Sequence, residues 1–246
     1  MPSALVVILT REHEDNLALL ERLNQLNIET LEYPCIATRL IPFSGKTVCS
    51  GQKLEDFKVI AFASKRGVAG MRPVAAALAK NSRIVMAAVG EATARAFEDM
   101  AGRKADIVAE SQTGEGLAKA IIAKFPKPVA VLYVQGNKTT GEFKDLLLQK
   151  GFEVCDLKVY ENFAPEVKPL KLDRPAIAVF ASPSAAQAFF AANSHLLKTI
   201  ACVAIGPTTR KALVNLGSKN ILVAARPGVE ELVAAVQCLI KNGGKA

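Results

Sequence analysis

The chain has 246 residues, half of them hydrophobic, and 31 Lys and Arg against 23 Asp and Glu give it a formal net charge of +8. That length and apolar content suit two modest cores, and no apolar run is long enough to span a bilayer. Five scattered cysteines and two distant histidines lack metal-ligand spacing, and 6% aromatics without an arginine-rich run offer little to a nucleic acid.

Residues 1–5 enter an apolar run directly, without the basic-then-apolar layout of a secretion signal, which predicts a cytoplasmic protein. In that compartment an odd number of cysteines predicts reduced thiols. Eight continuous apolar runs follow one another along the chain: 5–9, 59–63, 84–89, 106–109, 129–134, 177–181, 202–205 and 221–224. Runs of this kind are what parallel strands require when helices cover both faces of their sheet. Amphipathic stretches separate most of them; after the first, Leu19, Leu20 and Leu23 share one helical face. Two proline-punctuated stretches, 33–43 and 158–169, break the alternation and read as linkers.

The second half repeats the first. Leu5 to Thr10 corresponds to Val129 to Gln135, Val59 to Ser64 to Ile177 to Ser182, Ile84 to Thr93 to Ala201 to Thr209, and Asp106 to Glu110 to Ile221 to Ala225. The chain therefore reads as a duplicated, doubly wound α/β protein with right-handed crossovers, and a site between two similar halves is expected.

In such sheets ligands gather at the carboxyl ends of the strands, where helix N-termini present free N–H groups. Those ends carry Thr10-Arg11, Ser64-Lys65-Arg66-Gly67, Gly90-Glu91-Ala92-Thr93, Gly136-Asn137-Lys138-Thr139, Ser182-Pro183-Ser184 and Gly206-Pro207-Thr208-Thr209. Ser64 and Ser182 also suit N-caps, with Pro183 at the first helical position. Six small, hydroxylated or basic ends together suit a ligand with several carboxylates. Gly114-Glu115-Gly116 lacks the third glycine of a dinucleotide fingerprint, and there is no P-loop, G-x-S-x-G elbow, Cys-x-x-Cys pair or histidine–carboxylate cluster. What is left is a binding protein, or an enzyme whose substrate carries the reactivity.

The sequence resembles the uroporphyrinogen-III synthase family at Leu9-Thr10-Arg11, Phe62-Ala63-Ser64, Ala88-Val89-Gly90 with Thr93, Val159-Tyr160, Phe180-Ala181-Ser182-Pro183-Ser184, Ala204-Ile205-Gly206-Pro207-Thr208-Thr209 and Arg226-Pro227-Gly228. These pieces span the whole chain. Glu12 departs from the family's frequent proline after the Thr-Arg pair, which puts the shape of that loop in question. The resemblance implies two similar parallel-sheet domains joined by a two-stranded linker. One is discontinuous, formed by residues 1–36 and 165–246, and the other, 37–164, is inserted into it.

It also implies a cofactor-free, metal-free enzyme, a monomer with neither nucleic-acid nor membrane partner. Such an enzyme, a hydro-lyase, closes the linear tetrapyrrole hydroxymethylbilane with inversion of the last ring and loss of water. Carried over, Tyr160 is the candidate for proton transfer, and Arg11, Ser64, Gly90, Thr93, Ser182, Ser184, Gly206, Thr208 and Thr209 are candidates for binding the substrate. The competing expectation is a non-catalytic two-domain binder of an anionic metabolite.

Overall fold

In a computed structural model of the chain, residues 5–43, 45, 48–49, 51–137 and 141–243 are described. Lys138 and Thr139, named above at a strand end, lie outside them. In chain order the elements begin with β1 (Val6–Leu9), α1 (His13–Gln25), β2 (Glu29–Glu32) and β3 (Ala37–Leu40). Next come β4 (Val59–Phe62), α2 (Lys65–Gly70), α3 (Ala75–Lys80), β5 (Val85–Ala88), α4 (Glu91–Ala101), β6 (Ile107–Val108) and α5 (Gly114–Lys124). The series continues with β7 (Ala130–Gln135), α6 (Glu142–Gln149), β8 (Glu153–Lys158) and β9 (Tyr160–Phe163). It ends with β10 (Ala176–Phe180), α7 (Pro183–Ala192), β11 (Ala201–Ala204), α8 (Pro207–Leu216), β12 (Ile221–Val223) and α9 (Val229–Lys241).

The chain divides into two compact units, one comprising Met1–Ala37 and Phe163–Ala246, the other Thr38–Asn162. Each is built on a five-stranded sheet, ordered β12-β11-β10-β1-β2 in the first and β6-β5-β4-β7-β8 in the second, and β3 pairs with β9 in a separate two-stranded sheet. All the neighbouring strands of both five-stranded sheets run parallel. The repeats seen in the sequence occupy matching places, with β1 standing where β7 stands and β10 where β4 stands. The first βαβ of each repeat nevertheless joins the three later strands of the other repeat, so both sheets are assembled from both halves of the sequence.

Alternation along the central strands sends side chains into two buried layers, as sheets covered on both faces demand. In the first unit Val7 and Leu9 enter one cluster and Ile8 the other. In the second, Val59 and Ala61 are split from Ile60 and Phe62 in the same way. Ser64 and Ser182 cap α2 and α7, their hydroxyls accepting the N–H groups of Gly67 and Ala185 at 3.1 and 3.2 Å. Pro183 and Pro207 open their helices, where a missing N–H costs nothing. Glu12 has φ −61°, the value a proline ring would impose, so the backbone there keeps the shape that a proline would give it.

Cys49 and Cys155 come together, with Cα atoms 6.2 Å apart across 106 residues of sequence, while Cys35, Cys202 and Cys238 stand apart from them. That Cα separation lies within the range a disulfide spans without moving the backbone. Cysteine count and spacing carry no sign of the packing that brings Cys49 onto β8.

Candidate active site

In the second unit the carboxyl ends of β4, β5, β7 and β8 surround a cavity of about 310 Å³, lined by Ala63, Gln112, Tyr133, Gln135, Asp156 and Tyr160 among others. Tyr160 follows β8 by two residues, and close backbone packing fixes its position. A Cβ on Gly136 would lie 2.4 Å from the Tyr160 ring, and one on Gly70 would lie 2.5 Å from Val159. Asn137, next to Gly136, ties this corner to β9: its amide accepts from Asn162 N–H at 2.9 Å and donates to Asn162 C=O at 3.0 Å. Two glycines and an amide bracket therefore hold the tyrosine over the strand ends.

The hydroxyl of Ser64 donates to Tyr160 Oη at 3.0 Å while accepting from Gly67 N–H. Tyr160 Oη thus acts as acceptor toward the protein, and its own O–H remains to donate elsewhere. Gly90 ends β5 beside them in extended geometry, and Gln112 packs so closely that a Cβ on Gly90 would lie 2.8 Å from Gln112 Cγ. Gln112 itself has φ +52°, a left-handed conformation that a non-glycine residue adopts at a cost. Thr93, in the first turn of α4, is buried.

Sequence reasoning missed four residues here. Tyr133 lies in the apolar run of β7, in register with Ala61 and Asp156, and stacks on Phe143 with ring centroids 3.9 Å apart. Burial, and then the neighbouring Tyr160 and Asp156, push its hydroxyl up to about 12. Gln135 donates from Nε2 to Asp156 Oδ1 at 2.8 Å, and Lys144 forms an ion pair with the other oxygen of that carboxylate. A tyrosine and a glutamine inside a hydrophobic run read as core and strand end, so only the fold shows that they share a cavity.

The first unit offers a second set of strand ends. Thr10 is buried and donates to Val179 C=O at 2.6 Å, pinning β1 to β10 where both strands finish. Arg11 follows, half exposed and 3.4 Å from Asp15. At the end of β10, Ser182 and Ser184 lie hydroxyl to hydroxyl at 3.2 Å. After β11, Gly206 is extended with open space where a Cβ would go, Thr208 is exposed and Thr209 is buried. Within each unit the nominated residues thus occupy adjacent strand ends: Ser64, Gly90, Thr93 and Tyr160 in one, Arg11, Ser182, Ser184, Gly206, Thr208 and Thr209 in the other.

A larger cavity, about 550 Å³, opens at the opposite edge of the second unit's sheet beside Lys58, Lys80 and Arg83. It lies at the amino ends of the strands, away from the helix N-termini, and none of the nominated residues lines it. Among the described residues no group of three or more His, Cys, Asp or Glu could hold a metal ion, and no helix is long and apolar enough to cross a membrane.

The sequence profile of uroporphyrinogen-III synthase HemD matches residues 18–234. A chloroplastic uroporphyrinogen-III synthase of Oryza sativa subsp. japonica is 28% identical, over 98% of this chain and 82% of that protein. The porphyrin biosynthesis protein HemD of Ruminiclostridium josui is 23% identical over 92% of this chain, which covers 47% of that longer protein. In fold, the chain is similar to the uroporphyrinogen-III synthetase of Helicobacter pylori 26695, with a TM-score of 0.66 at 20% identity over 96% of this chain and 99% of that one. With most of its length matched by one family profile, the chain belongs to the uroporphyrinogen-III synthase family.

Proposed function

We propose that this chain converts hydroxymethylbilane into uroporphyrinogen III by cyclisation with inversion of the last ring and loss of water. The observation that carries the reading is the family match over residues 18–234, on a chain whose strand ends present hydroxyls and helix N-termini. As a class this is a cyclising hydro-lyase acting without cofactor. We assign it to a cytoplasmic monomer with no nucleic-acid partner, and take residues 1–36 with 165–246, and 37–164, as its two domains.

The substrate's eight carboxylates suit a chain of net charge +8, and they accept hydrogen bonds from backbone N–H groups at helix starts. Arg11, Ser182, Ser184, Gly206, Thr208 and Thr209, with Ser64, Gly90 and Thr93, are the proposed binding groups. Tyr160 is the proposed proton donor. Its O–H protonates the departing hydroxyl of the terminal hydroxymethyl group, while the lone pair of that ring's nitrogen forms a C=N bond and leaves an electrophilic exocyclic methylene. The substituted α carbon of the last ring attacks it to give a spiro intermediate; the older bond from that carbon to its bridging methylene then breaks, and the methylene is recaptured by the free α carbon on the other side of the same ring's nitrogen. The proton lost as that ring regains aromaticity returns to the phenolate, so the balance is the release of one water.

Hydrogen-bond donation from Ser64 to Oη supports this role, because it stabilises charge left on that oxygen. Direct head-to-tail closure competes, and at about 1.4 kcal/mol per tenfold in rate ratio a preference of a few kcal/mol for the spiro route gives nearly pure product. The test is to add purified protein to freshly generated hydroxymethylbilane, oxidise, and separate the porphyrin isomers. Type III product is expected, and the type I isomer alone would refute the reading.

A further inference from the structure

Tyr133 has no part in the chemistry above, yet it lines the same cavity as Tyr160. Its side chain is buried, only 6% exposed, and its ring stacks on Phe143 in the first turn of α6. Burial keeps the hydroxyl neutral, and nothing among the described residues hydrogen-bonds it. The oxygen is nevertheless open. Among the described residues the one side-chain oxygen or nitrogen that is both out of solvent's reach and without a partner is Gln135 Oε1, so Tyr133 Oη, which also lacks a partner, is within reach from the cavity.

Two helix starts meet at that hydroxyl. Gly114 opens α5, Phe143 follows the start of α6, and both line the cavity. Because Gly114 has no side chain it leaves a space there: a Cβ would lie 3.4 Å from Phe143 Cβ, 3.7 Å from Phe143 N and 3.9 Å from Tyr133 Oη. The first N–H groups of a helix have no partner within it, and both helices turn their positive ends this way. Thr113 Oγ takes the N–H of Gly116, one turn in, and leaves that of Gly114 over. Backbone N–H groups only donate, so whatever they surround must accept. Asp156, the one acidic side chain among the described residues lining the cavity, is already paired with Lys144 and Gln135.

We propose that one carboxylate of hydroxymethylbilane sits where α5 and α6 begin, held by the Tyr133 hydroxyl and the N–H groups of Gly114 and Phe143. The proposal rests on the substrate reading above and adds to it a subsite built from residues outside the nominated set. A phenol that stays neutral donates to a carboxylate without repelling it, and a donor bound to an ionised partner makes the stronger kind of hydrogen bond. That carboxylate is remote from the bonds that form and break. Its contacts are therefore alike in the ground state and the transition state, and their loss shows in KM.

The test pairs two variants. Tyr133→Phe keeps the stack on Phe143 and removes one donor, whereas Gly114→Ala keeps every donor and fills the space with a methyl group at ordinary van der Waals distances. Each should raise KM for hydroxymethylbilane roughly 5- to 30-fold, with the smaller part of the loss in kcat and a melting temperature unchanged or raised. Uroporphyrin III, the oxidised product with its carboxylates intact, is the direct probe, and its affinity by fluorescence titration should weaken in both variants. Parental KM and parental uroporphyrin III affinity in both would overturn the proposal. So would a joint fall of kcat and melting temperature, which would make Tyr133 a packing residue only. If one variant fails to fold, the other decides. Failure of the parent protein to form the type III isomer would instead strike the substrate reading, and the uroporphyrin III titrations would then decide the subsite by themselves.

Discussion

Ser64 Oγ and Tyr160 Oη lie 3.0 Å apart, with the serine donating, and the same serine oxygen takes the N–H of Gly67. One side chain thus caps a helix and holds the oxygen of the proposed proton donor. Tyr160→Phe is expected to slow turnover by about 1–3 kcal/mol in the barrier while the proportion of type III product persists, since shape rather than this hydroxyl selects the route. Ser64→Ala should lower kcat less but also lose about 1 kcal/mol of stability with the cap. Steady-state kinetics with isomer analysis, alongside thermal melts, separate the two. Complete inactivity of a folded Tyr160→Phe protein would mean that the chemistry rests on that hydroxyl alone.

Two glycines at strand ends should respond oppositely to a methyl group. Gly136→Ala places a carbon 2.4 Å from the Tyr160 ring, against which the ring must move. Activity should drop at least as far as in Tyr160→Phe. At Gly206 the backbone is extended and nothing lies within 4 Å of an added Cβ, so Gly206→Ala should leave the melting temperature intact or slightly raised. If a carboxylate approaches that backbone, KM rises in a protein of undiminished stability; an unchanged KM removes Gly206 from the binding set.

Alkaline stability should depend on Tyr133. Its folded-state value of about 12 lies above the ordinary tyrosine range, chiefly through burial. The folded form therefore keeps the proton more tightly than the unfolded chain does. The stabilisation is fully present below about pH 10 and is lost as pH rises toward 12, a change on the order of 2–3 kcal/mol. Denaturant titrations between pH 9 and 12 should show a decline that is shallower in Tyr133→Phe by about that amount. Equal slopes in both proteins would show that other groups govern the decline.

A Cys49–Cys155 bond, which the juxtaposition of the two residues predicts, closes a long loop. The unreduced, denatured protein should titrate three thiols, those of Cys35, Cys202 and Cys238, and five after reduction. In the chain-entropy treatment a loop of this length corresponds to about 4–5 kcal/mol, so reduction, or Cys155→Ser, should lower the melting temperature markedly. Five reactive thiols before reduction would show that the purified protein carries the pair reduced, as a cytoplasmic setting favours.

The eight strands were legible because a strand buried on both faces leaves a continuous apolar run, whatever its neighbours. Edge position broke the pattern elsewhere: β2 (ETLE) and β8 (EVCDLK) carry charge and leave no continuous apolar run, and the run at 106–109 shortens to β6, Ile107–Val108. Ser64 was a candidate because it sits at a strand-to-helix turn, and Tyr160 because the family resemblance includes Val159-Tyr160 in the linker. Tyr133, Gln135 and Asp156 could not be found in either way. They converge only because β7 lies between β4 and β8, an adjacency that depends on pairing across the sheet and leaves no mark on local pattern.

That pairing also sets an order of events during synthesis. The second unit, Thr38–Asn162, is continuous and has every strand of its sheet once that stretch has been made. Strand β1 is different, because its sheet partner on one side is β10, with Val6 opposite Ala176. At roughly 5–20 residues per second the ribosome takes roughly 10–30 s to travel from one to the other. Throughout that interval the apolar Val6–Leu9 segment has only its local partner β2. Newly made β1–α1–β2 is therefore the part of the nascent chain most exposed to misassociation, and the first unit closes only after β10, β11 and β12 have been made.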